Sequence, residues 1–279
     1  MPKFKPKAPR PKIQTGPSLI SRLVGFVGIF AVIFLLLGFL KLLLYSQNFL
    51  APETTSREVI VSIPSGAGSS EIARILYDAG IIRDQKAFLW AIRIKAFLRQ
   101  PVNIKAGEQT LDPSLNAWET IAILVKGNFK LYPFTIPEGK NMADISRAVE
   151  NAGLGKAEDF WALCHNPQFI SSLGINAPTL EGYLYPETYN FPKGTSLKTI
   201  AKTMVDQFMR VWDKYSSEAA AKGLSINEVL TMASIVEKET GTPSERPLIA
   251  AVFFNRLAKN MRLQTDPTVI YGIPNFNGN

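Results

Sequence analysis

Cysteine and histidine are scarce in this 279-residue sequence, which contains one of each, Cys164 and His165. A single cysteine excludes a disulfide within the chain and any metal site built from several cysteines. A single histidine argues against a histidine-rich metal centre, and a serine-histidine-aspartate triad would have to use His165. The sequence also lacks a glycine-rich phosphate-binding loop, so nucleotide chemistry has no support. We therefore expect neither a metal nor a cofactor.

Charged residues are few as well, at 19% of the chain, and the net charge of +8 is concentrated near the N-terminus. Residues 1–22 contain six lysines and arginines and no acidic residue. Without these residues the chain has an excess of only about two positive charges, which argues against nucleic acid as a partner. We predict that residues 1–22 form a basic cytoplasmic tail.

The longest apolar run covers residues 23–45 and contains one charge, Lys41. Its length suffices to cross a hydrocarbon core of about 30 Å, whereas a cleaved signal peptide has a shorter run and a small-residue cleavage site. Because the basic residues precede it, we predict a single-pass protein of the cytoplasmic (inner) membrane with a cytoplasmic N-terminus. The rest of the chain would then be extracytoplasmic, or periplasmic, after a polar linker over residues 46–57.

Hydrophobic periodicity beyond the linker predicts an α+β fold. Alternating residues from Glu58 predict a strand, and the region after it predicts helices over 71–80, 85–99 and 114–125, with a strand within 103–111. The second half is predicted to be mostly helical. Its expected helices are a short one within 156–175 and three longer ones over 196–222, 225–240 and 245–259.

An internal similarity relates residues 61–80 to residues 134–153 without gaps, at an offset of 73. Seven residues of the first copy recur in the second: Ile63, Pro64, Gly66, Ile72, Arg74, Ala79 and Gly80. The pattern predicts a repeated unit of strand, proline-glycine turn, amphipathic helix and glycine cap. A shared local folding pattern would produce the same similarity without duplication. The repeat places a domain boundary within 127–130.

The helix predicted over 225–240 places a carboxylic acid, Glu237, among apolar residues. Ser225 and Glu228 have the spacing of a capping box, so the helix begins there. At about 100° per residue, Leu230 falls on the same stripe as Glu237. An apolar surface favours the protonated form of a carboxylic acid, so Glu237 is a candidate proton donor. The alternative is a structural glutamate that pairs with an arginine or a lysine.

Two further segments contain side chains suited to ligand binding. The loop over 180–195 combines aromatic residues with two carboxylates: Tyr183, Tyr185, Tyr189, Phe191, Glu181 and Glu187. Aromatic faces beside carboxylates suit a sugar, although a packed aromatic cover over the core explains them equally well. The segment over 263–272 places Gln264, Thr265, Asp266 and Thr268 around Pro267. These polar side chains could converge on a ligand, or Asp266 could simply cap a turn or helix.

One candidate acid, an aromatic loop and an expected extracytoplasmic location together indicate cleavage of a cell-wall glycan. An ordinary glycosidase needs a second carboxylate, for which Glu187, Asp266 and Glu181 are the candidates. In a one-acid alternative, Glu237 protonates the leaving oxygen and a hydroxyl of the same sugar attacks the anomeric carbon. Glu237 then takes back a proton, and no water enters.

Four segments resemble the YceG-like (MltG) family of endolytic murein transglycosylases: ASIVEKET (233–240), EGYLYPETY (181–189), FFNRL (253–257) and MRLQTDPTVIYG (261–272). The resemblance runs from residue 23 to the C-terminus. It implies a membrane anchor over 23–45, a small LysM-like α/β module over 58–128 and a mostly helical α+β catalytic domain over 129–279. Because members continue beyond this point, we expect the catalytic domain to be incomplete at its C-terminus.

The resemblance also implies an activity and a site. The family cleaves the MurNAc–GlcNAc bond within nascent peptidoglycan strands, leaves a 1,6-anhydro-MurNAc end and terminates strand growth beside the peptidoglycan synthases. The family's catalytic glutamate matches Glu237. Other motif positions expected to line the substrate groove are Glu239, Tyr185, Glu187, Asn255, Gln264, Thr265, Asp266 and Thr268.

Two other functions remain open from the sequence. The chain could be a non-catalytic wall-binding scaffold, in which the LysM-like region grips glycan and Glu237 is structural. It could also be a conventional muramidase, which adds water and leaves a reducing end. The mass of the product separates a hydrolase from a transglycosylase.

Overall fold

The computed structural model describes residues 28–39 and 52–273, and the first helix, α1, covers residues 28–39. In this part of the chain, no helix combines the length and the apolar character needed to cross a membrane. The finding contradicts the transmembrane helix predicted over 23–45 and the single-pass localisation inferred from it. Residues 23–27 and 40–45 and the predicted basic tail lie outside the described residues.

The chain divides into two compact units between Asn128 and Phe129. The first unit contains two antiparallel strands, β1 (Val59–Ile63) and β2 (Gly107–Leu111). Its helices are α2 (Ser69–Asp78), α3 (Gln85–Phe97) and α4 (Ala117–Lys126). The alternation expected of β1 is present, because Val61 and Ile63 are buried while their neighbours Ile60 and Ser62 are exposed. These two side chains pack with residues of all three helices in one hydrophobic core.

The second unit also contains a pair of antiparallel strands, β3 (Leu131–Thr135) and β4 (Thr188–Pro192). Its helices are α5 (Met142–Asn151), α6 (Ala157–Cys164), α7 (Pro167–Ser172), α8 (Leu197–Trp212), α9 (Ser216–Ala221), α10 (Ile226–Glu239), α11 (Arg246–Ala258) and α12 (Asp266–Tyr271). A 3-10 helix, Pro243–Glu245, precedes α11. The mixed α+β architecture agrees with the periodicity of the sequence.

The prediction of one long helix over 196–222 is wrong, because the structure has two helices there. The structure ends α8 at Trp212 and begins α9 at Ser216, with turns between them. Asp213, the first residue after α8, has low helix propensity, because its side chain competes for backbone hydrogen bonds. The apolar periodicity resumes after the break, which is why the pattern alone indicated a single helix.

The repeated unit predicted at an offset of 73 residues is present in both halves. Helices α2 and α5 begin and end at equivalent positions, and the residue after each helix adopts the same conformation, φ −80° at Ala79 and −79° at Ala152. The glycines that follow, Gly80 and Gly153, both have left-handed backbones, with φ of 72° and 68°. In each unit the repeated strand pairs with a later strand, so the repeat is a structural element and not only a sequence pattern.

Helix α10 packs on both sides, which fixes its position in the second unit. Its capping box forms as predicted, with Ser225 accepting from the Glu228 backbone and the Glu228 carboxylate accepting from the Ser225 backbone. Leu230 packs against the main core of this unit. On another face, Met232 and Val236 form a second, small hydrophobic cluster with Phe253 of α11.

Candidate active site

Glu237 lies in the last turn of α10 and is paired with a basic residue. Its Oε2 is 3.0 Å from Nη2 of Arg246, and the two side chains are 32% and 36% exposed. Glu237 is therefore not enclosed by the apolar surface that the helical phase suggested. The basic partner, which was the alternative from the sequence, is what the structure shows.

The segment between α10 and α11 positions Arg246 at the first residue of α11. Thr240 is buried, and its hydroxyl donates to Oε2 of Glu245 at 2.7 Å while accepting from the Thr242 backbone at 3.0 Å. These bonds fold the chain back within a few residues. The Nε of Arg246 is buried and has no hydrogen-bond partner among the described residues. A buried donor left in this way costs about 1–3 kcal/mol, so stability alone does not account for an arginine here.

The other oxygen of Glu237 faces a turn between β3 and α5. A β-carbon added to Gly139 would lie 4.0 Å from Oε1 of Glu237 and 3.6 Å from Nζ of Lys238. Gly139 has a φ of 72°, a conformation that side chains other than glycine adopt rarely. The two oxygens of the carboxylate thus meet different neighbours, the Arg246 guanidinium at Oε2 and the Gly139 turn with the nearby Lys238 ammonium at Oε1.

Glu239, two residues further along α10, binds the segment before α12. The hydroxyl of Thr265, which is 3% exposed, donates to Oε2 of Glu239 at 2.7 Å. The hydroxyl of Thr268 in turn donates to the Thr265 carbonyl at 2.8 Å. The structure therefore joins three of the predicted groove residues directly at the end of α10.

The backbone of Glu187 is hydrogen-bonded to the segment that leads into the Gly139 turn. Its carbonyl accepts from the Ile136 N–H at 3.0 Å, at the end of β3 that leads into the Gly139 turn. The Glu187 side chain is exposed, and Tyr185, which is half-buried, accepts through its carbonyl from the Tyr189 hydroxyl at 2.6 Å.

The remaining predicted groove residues are exposed around α11 and α12. Asn255 lies on α11, Gln264 has a left-handed backbone with φ of 55°, and Asp266 is the first residue of α12. These three side chains are available to a ligand, and their part in the site stays a prediction.

The aromatic loop over 180–195 is mostly core, not an open platform. Tyr183, Tyr189 and Phe191 are only 2%, 6% and 5% exposed. The Tyr183 hydroxyl donates to the Asn227 side chain, and burial raises the pKa of Tyr183 and of Tyr189. The packed cover is therefore the correct interpretation for these three rings, and Tyr185 is the tyrosine of this loop left partly accessible.

Glu181, at the start of this loop, is a partly buried carboxylate whose pKa is raised above its ordinary value. Burial raises the pKa of Glu181, and the hydrogen bond from the Met142 backbone opposes that effect. The Met142 N–H lies 3.2 Å and 3.1 Å from its two oxygens, and the Tyr271 hydroxyl also hydrogen-bonds to it. Glu181 therefore links the aromatic loop, the start of α5 and α12.

The single cysteine and the single histidine both have structural roles. Burial raises the pKa of the Cys164 thiol to about 12, so it remains protonated and unreactive. His165 contacts the Trp161 carbonyl through Nδ1 at 2.9 Å and packs on the Trp161 ring. Within residues 28–39 and 52–273, no group of three histidine, cysteine or acidic side chains is arranged to hold a metal ion.

Comparison with known proteins decides the family. The family model described as the YceG-like family matches residues 61–279. The chain belongs to the YceG-like family. The family predicted from the four sequence segments is therefore confirmed.

Similar proteins bear the name endolytic murein transglycosylase. The protein from Bacillus subtilis (strain 168) is 33% identical over 246 residues, which cover 82% of this chain and 67% of that protein. Two proteins from Streptococcus pneumoniae, strains D39 and R6, are 31% and 32% identical and are covered over 43% of their lengths. The chain thus spans about two thirds of the first relative and less than half of the others.

A solved structure supports the same assignment. The crystal structure of a YceG-like protein from Listeria monocytogenes is 31% identical to this chain, with a TM-score of 0.50. The match covers 80% of this chain and 77% of the other.

Proposed function

We propose that this chain is an endolytic murein transglycosylase, a lyase that cleaves the MurNAc–GlcNAc bond within peptidoglycan strands. The names of its relatives support the activity. The observation that supports the chemistry is the placement of Glu237, with Oε2 held by Arg246 and Oε1 facing the bare turn at Gly139. One carboxylate oxygen is thereby oriented, and the other is left for the substrate.

The reaction uses this one acid twice. Glu237 gives its proton to the glycosidic oxygen as the bond from that oxygen to the anomeric carbon breaks. The C6 hydroxyl of the same MurNAc then bonds to the anomeric carbon through its oxygen, and its proton returns to Glu237. Arg246 compensates the negative charge that Glu237 carries between the two transfers. No water is consumed, and the product ends in 1,6-anhydro-MurNAc.

A hydrolytic mechanism depends on a further carboxylate, for which Glu187 and Asp266 remain exposed candidates. It needs a second carboxylate to activate water or to attack the sugar. Glu181 was one candidate, but both its oxygens accept from the Met142 backbone and its carboxylate also binds Tyr271. The one-acid reaction requires no such group.

The finer assignments are part of the same proposal, and the resemblance to the family supports them. The second unit is the catalytic domain, and the first is the LysM-like module. Cleavage within nascent strands would terminate their growth, and the peptidoglycan synthases are the partners expected beside such a reaction. The groove residues that supplement Glu237 are Glu239, Tyr185, Glu187, Asn255, Gln264, Thr265, Asp266 and Thr268.

Replacement of Glu237 by glutamine tests the proposal. The amide keeps the shape of the side chain but cannot donate the proton, so release of anhydro products from purified glycan strands should fall by about 10²–10⁴-fold. Glu218→Gln is the matched control, because Glu218 is an exposed glutamate of α9 in the same unit. Unchanged product yield with Glu237→Gln would instead favour the non-catalytic scaffold, and reducing-end products from the unmodified chain would favour the muramidase.

A further inference from the structure

The turn over 137–140 is the second copy of a repeated element, and its glycine, Gly139, lies near two ionisable side chains, those of Glu237 and Lys238. Its counterpart in the first unit is the turn over 64–67. Gly139 and Gly66 occupy the same position in the repeat and adopt the same left-handed conformation, with φ of 72° and 80°. The backbone requirement for glycine is therefore common to both turns.

The surroundings of the two glycines differ. A β-carbon added to Gly66 would meet no heavy atom within 4 Å in the described part of the chain. A β-carbon added to Gly139 would contact Oε1 of Glu237 at 4.0 Å and Nζ of Lys238 at 3.6 Å. These are ordinary van der Waals distances, so a methyl group would fit there without displacing either residue. It would nevertheless occupy space next to Oε1.

The orientation of the Glu237 carboxylate makes this space important. Arg246 lies 3.0 Å from Oε2, which leaves Oε1 as the oxygen that can meet a sugar. A glycosidic oxygen must come within about 2.6–3.2 Å of the acid that protonates it. A methyl group in contact with Oε1 competes for that position.

We propose that Gly139 is a positioning residue for the lyase reaction. Because Gly139 has no side chain, the turn over 137–140 leaves room beside Oε1 of Glu237, and the glycosidic oxygen approaches Oε1 past this turn. This inference rests on the proposed function. It assigns Oε1 as the oxygen that transfers the proton and gives the second copy of the repeat a role that the first copy does not share.

The test compares Gly139→Ala with two matched glycine variants. Gly66→Ala introduces the same left-handed strain at the equivalent turn, and Gly153→Ala introduces it within the same unit, where an added β-carbon has no neighbour within 4 Å among the described residues. All three should lower the thermal midpoint by similar amounts. Only Gly139→Ala should lower kcat, by about tenfold or more, because it displaces the reacting oxygen from its attack position.

The pattern of kcat and KM separates this role from a structural one. Long strands also contact the groove away from the cleaved bond, so KM for Gly139→Ala should stay within about twofold of the unmodified value while kcat falls. The inference is overturned if Gly139→Ala retains the kcat of Gly66→Ala, or if all three variants lose activity in step with their stability. If Gly139→Ala does not fold, the kcat of Gly139→Asn is compared with that of Gly66→Asn instead, because asparagine tolerates the left-handed conformation.

Failure of the inference is distinguishable from failure of the proposed function. If the unmodified chain releases anhydro products and Gly139→Ala matches its controls, the role of Gly139 is wrong and the lyase stands. If the unmodified chain releases no anhydro product from purified strands, the proposed function is wrong, and the role of Gly139 is wrong with it.

Discussion

Replacing Arg246 by methionine should reduce activity far more than stability. The substitution removes the guanidinium that holds Oε2 of Glu237 at 3.0 Å but keeps an apolar stem of similar length. The freed carboxylate can rotate, and the negative charge that it carries after proton transfer loses its partner. We expect kcat to fall by about 10–100-fold, because small misplacements of a reacting group cost up to about 100-fold.

The expected change in stability is small for two reasons. At 3.0 Å the Coulomb energy of the ion pair is about 1.4 kcal/mol in water and about 5.5 kcal/mol at an effective dielectric constant near 20. Because both side chains are about one-third exposed, the net value lies near that of surface pairs, below about 1 kcal/mol. Removal of Arg246 also removes its buried, unpartnered Nε, which offsets part of this loss. The thermal midpoint should therefore change by less than about 4 °C.

The assay measures release of anhydro products from purified glycan strands together with a thermal unfolding curve. Lys202→Met is the control, because Lys202 forms a comparable ion pair with Asp206 at 2.7 Å on the exposed surface of α8. Lys202→Met should change neither the rate of product release nor the thermal midpoint appreciably. A kcat for Arg246→Met within twofold of the unmodified protein would refute the orienting role of the guanidinium.

Two further predictions concern the loop that precedes Tyr183. Gly182→Ala should destabilise the second unit by about 2–5 kcal/mol, because it adds left-handed strain and a β-carbon 2.8 Å from Leu230 of α10. Gly174 has a similar φ and no such neighbour among the described residues, so Gly174→Ala should lose only the stability that corresponds to the backbone strain. Equal losses of unfolding free energy for the two variants, measured with denaturant, would contradict the role of the Leu230 contact. Because burial raises the pKa of Glu181, its stabilising contribution is complete below its ordinary value of 4.5 and is lost as pH rises through the raised value. The stability of the unmodified chain relative to Glu181→Gln should therefore fall with rising pH, and a constant difference would be evidence against this.

Local patterns in the sequence predict much of the secondary structure. The capping box at Ser225 and the periodicity after it predict α10 because these signals depend only on neighbouring residues. The repeat predicts the turns at Gly66 and Gly139 because left-handed positions require glycine in each copy. The interruption between α8 and α9 was missed because the apolar periodicity resumes after it.

The environment of Glu237 could not be predicted in the same way. Helical phase places Glu237 on a stripe with Leu230, but it carries no information about which residues another helix brings nearby. Arg246 reaches Glu237 only because Thr240 and Glu245 fold the intervening segment back. The one available signal was an arginine soon after the end of α10.

The aromatic loop shows a similar limit. Tyrosine and phenylalanine serve equally well in a sugar platform and in a core, so composition cannot choose between them. The structure buries Tyr183, Tyr189 and Phe191 and leaves Tyr185 partly accessible. The motif therefore predicted an aromatic loop but not the direction of its rings.

Mass spectrometry of the products released from purified peptidoglycan strands tests the central claim most directly. If Glu237 transfers a proton out and back while the C6 hydroxyl closes the ring, the new chain ends carry 1,6-anhydro-MurNAc and are lighter than hydrolysis products by one water. Products that end in a reducing sugar, or strands that remain intact, would contradict the account.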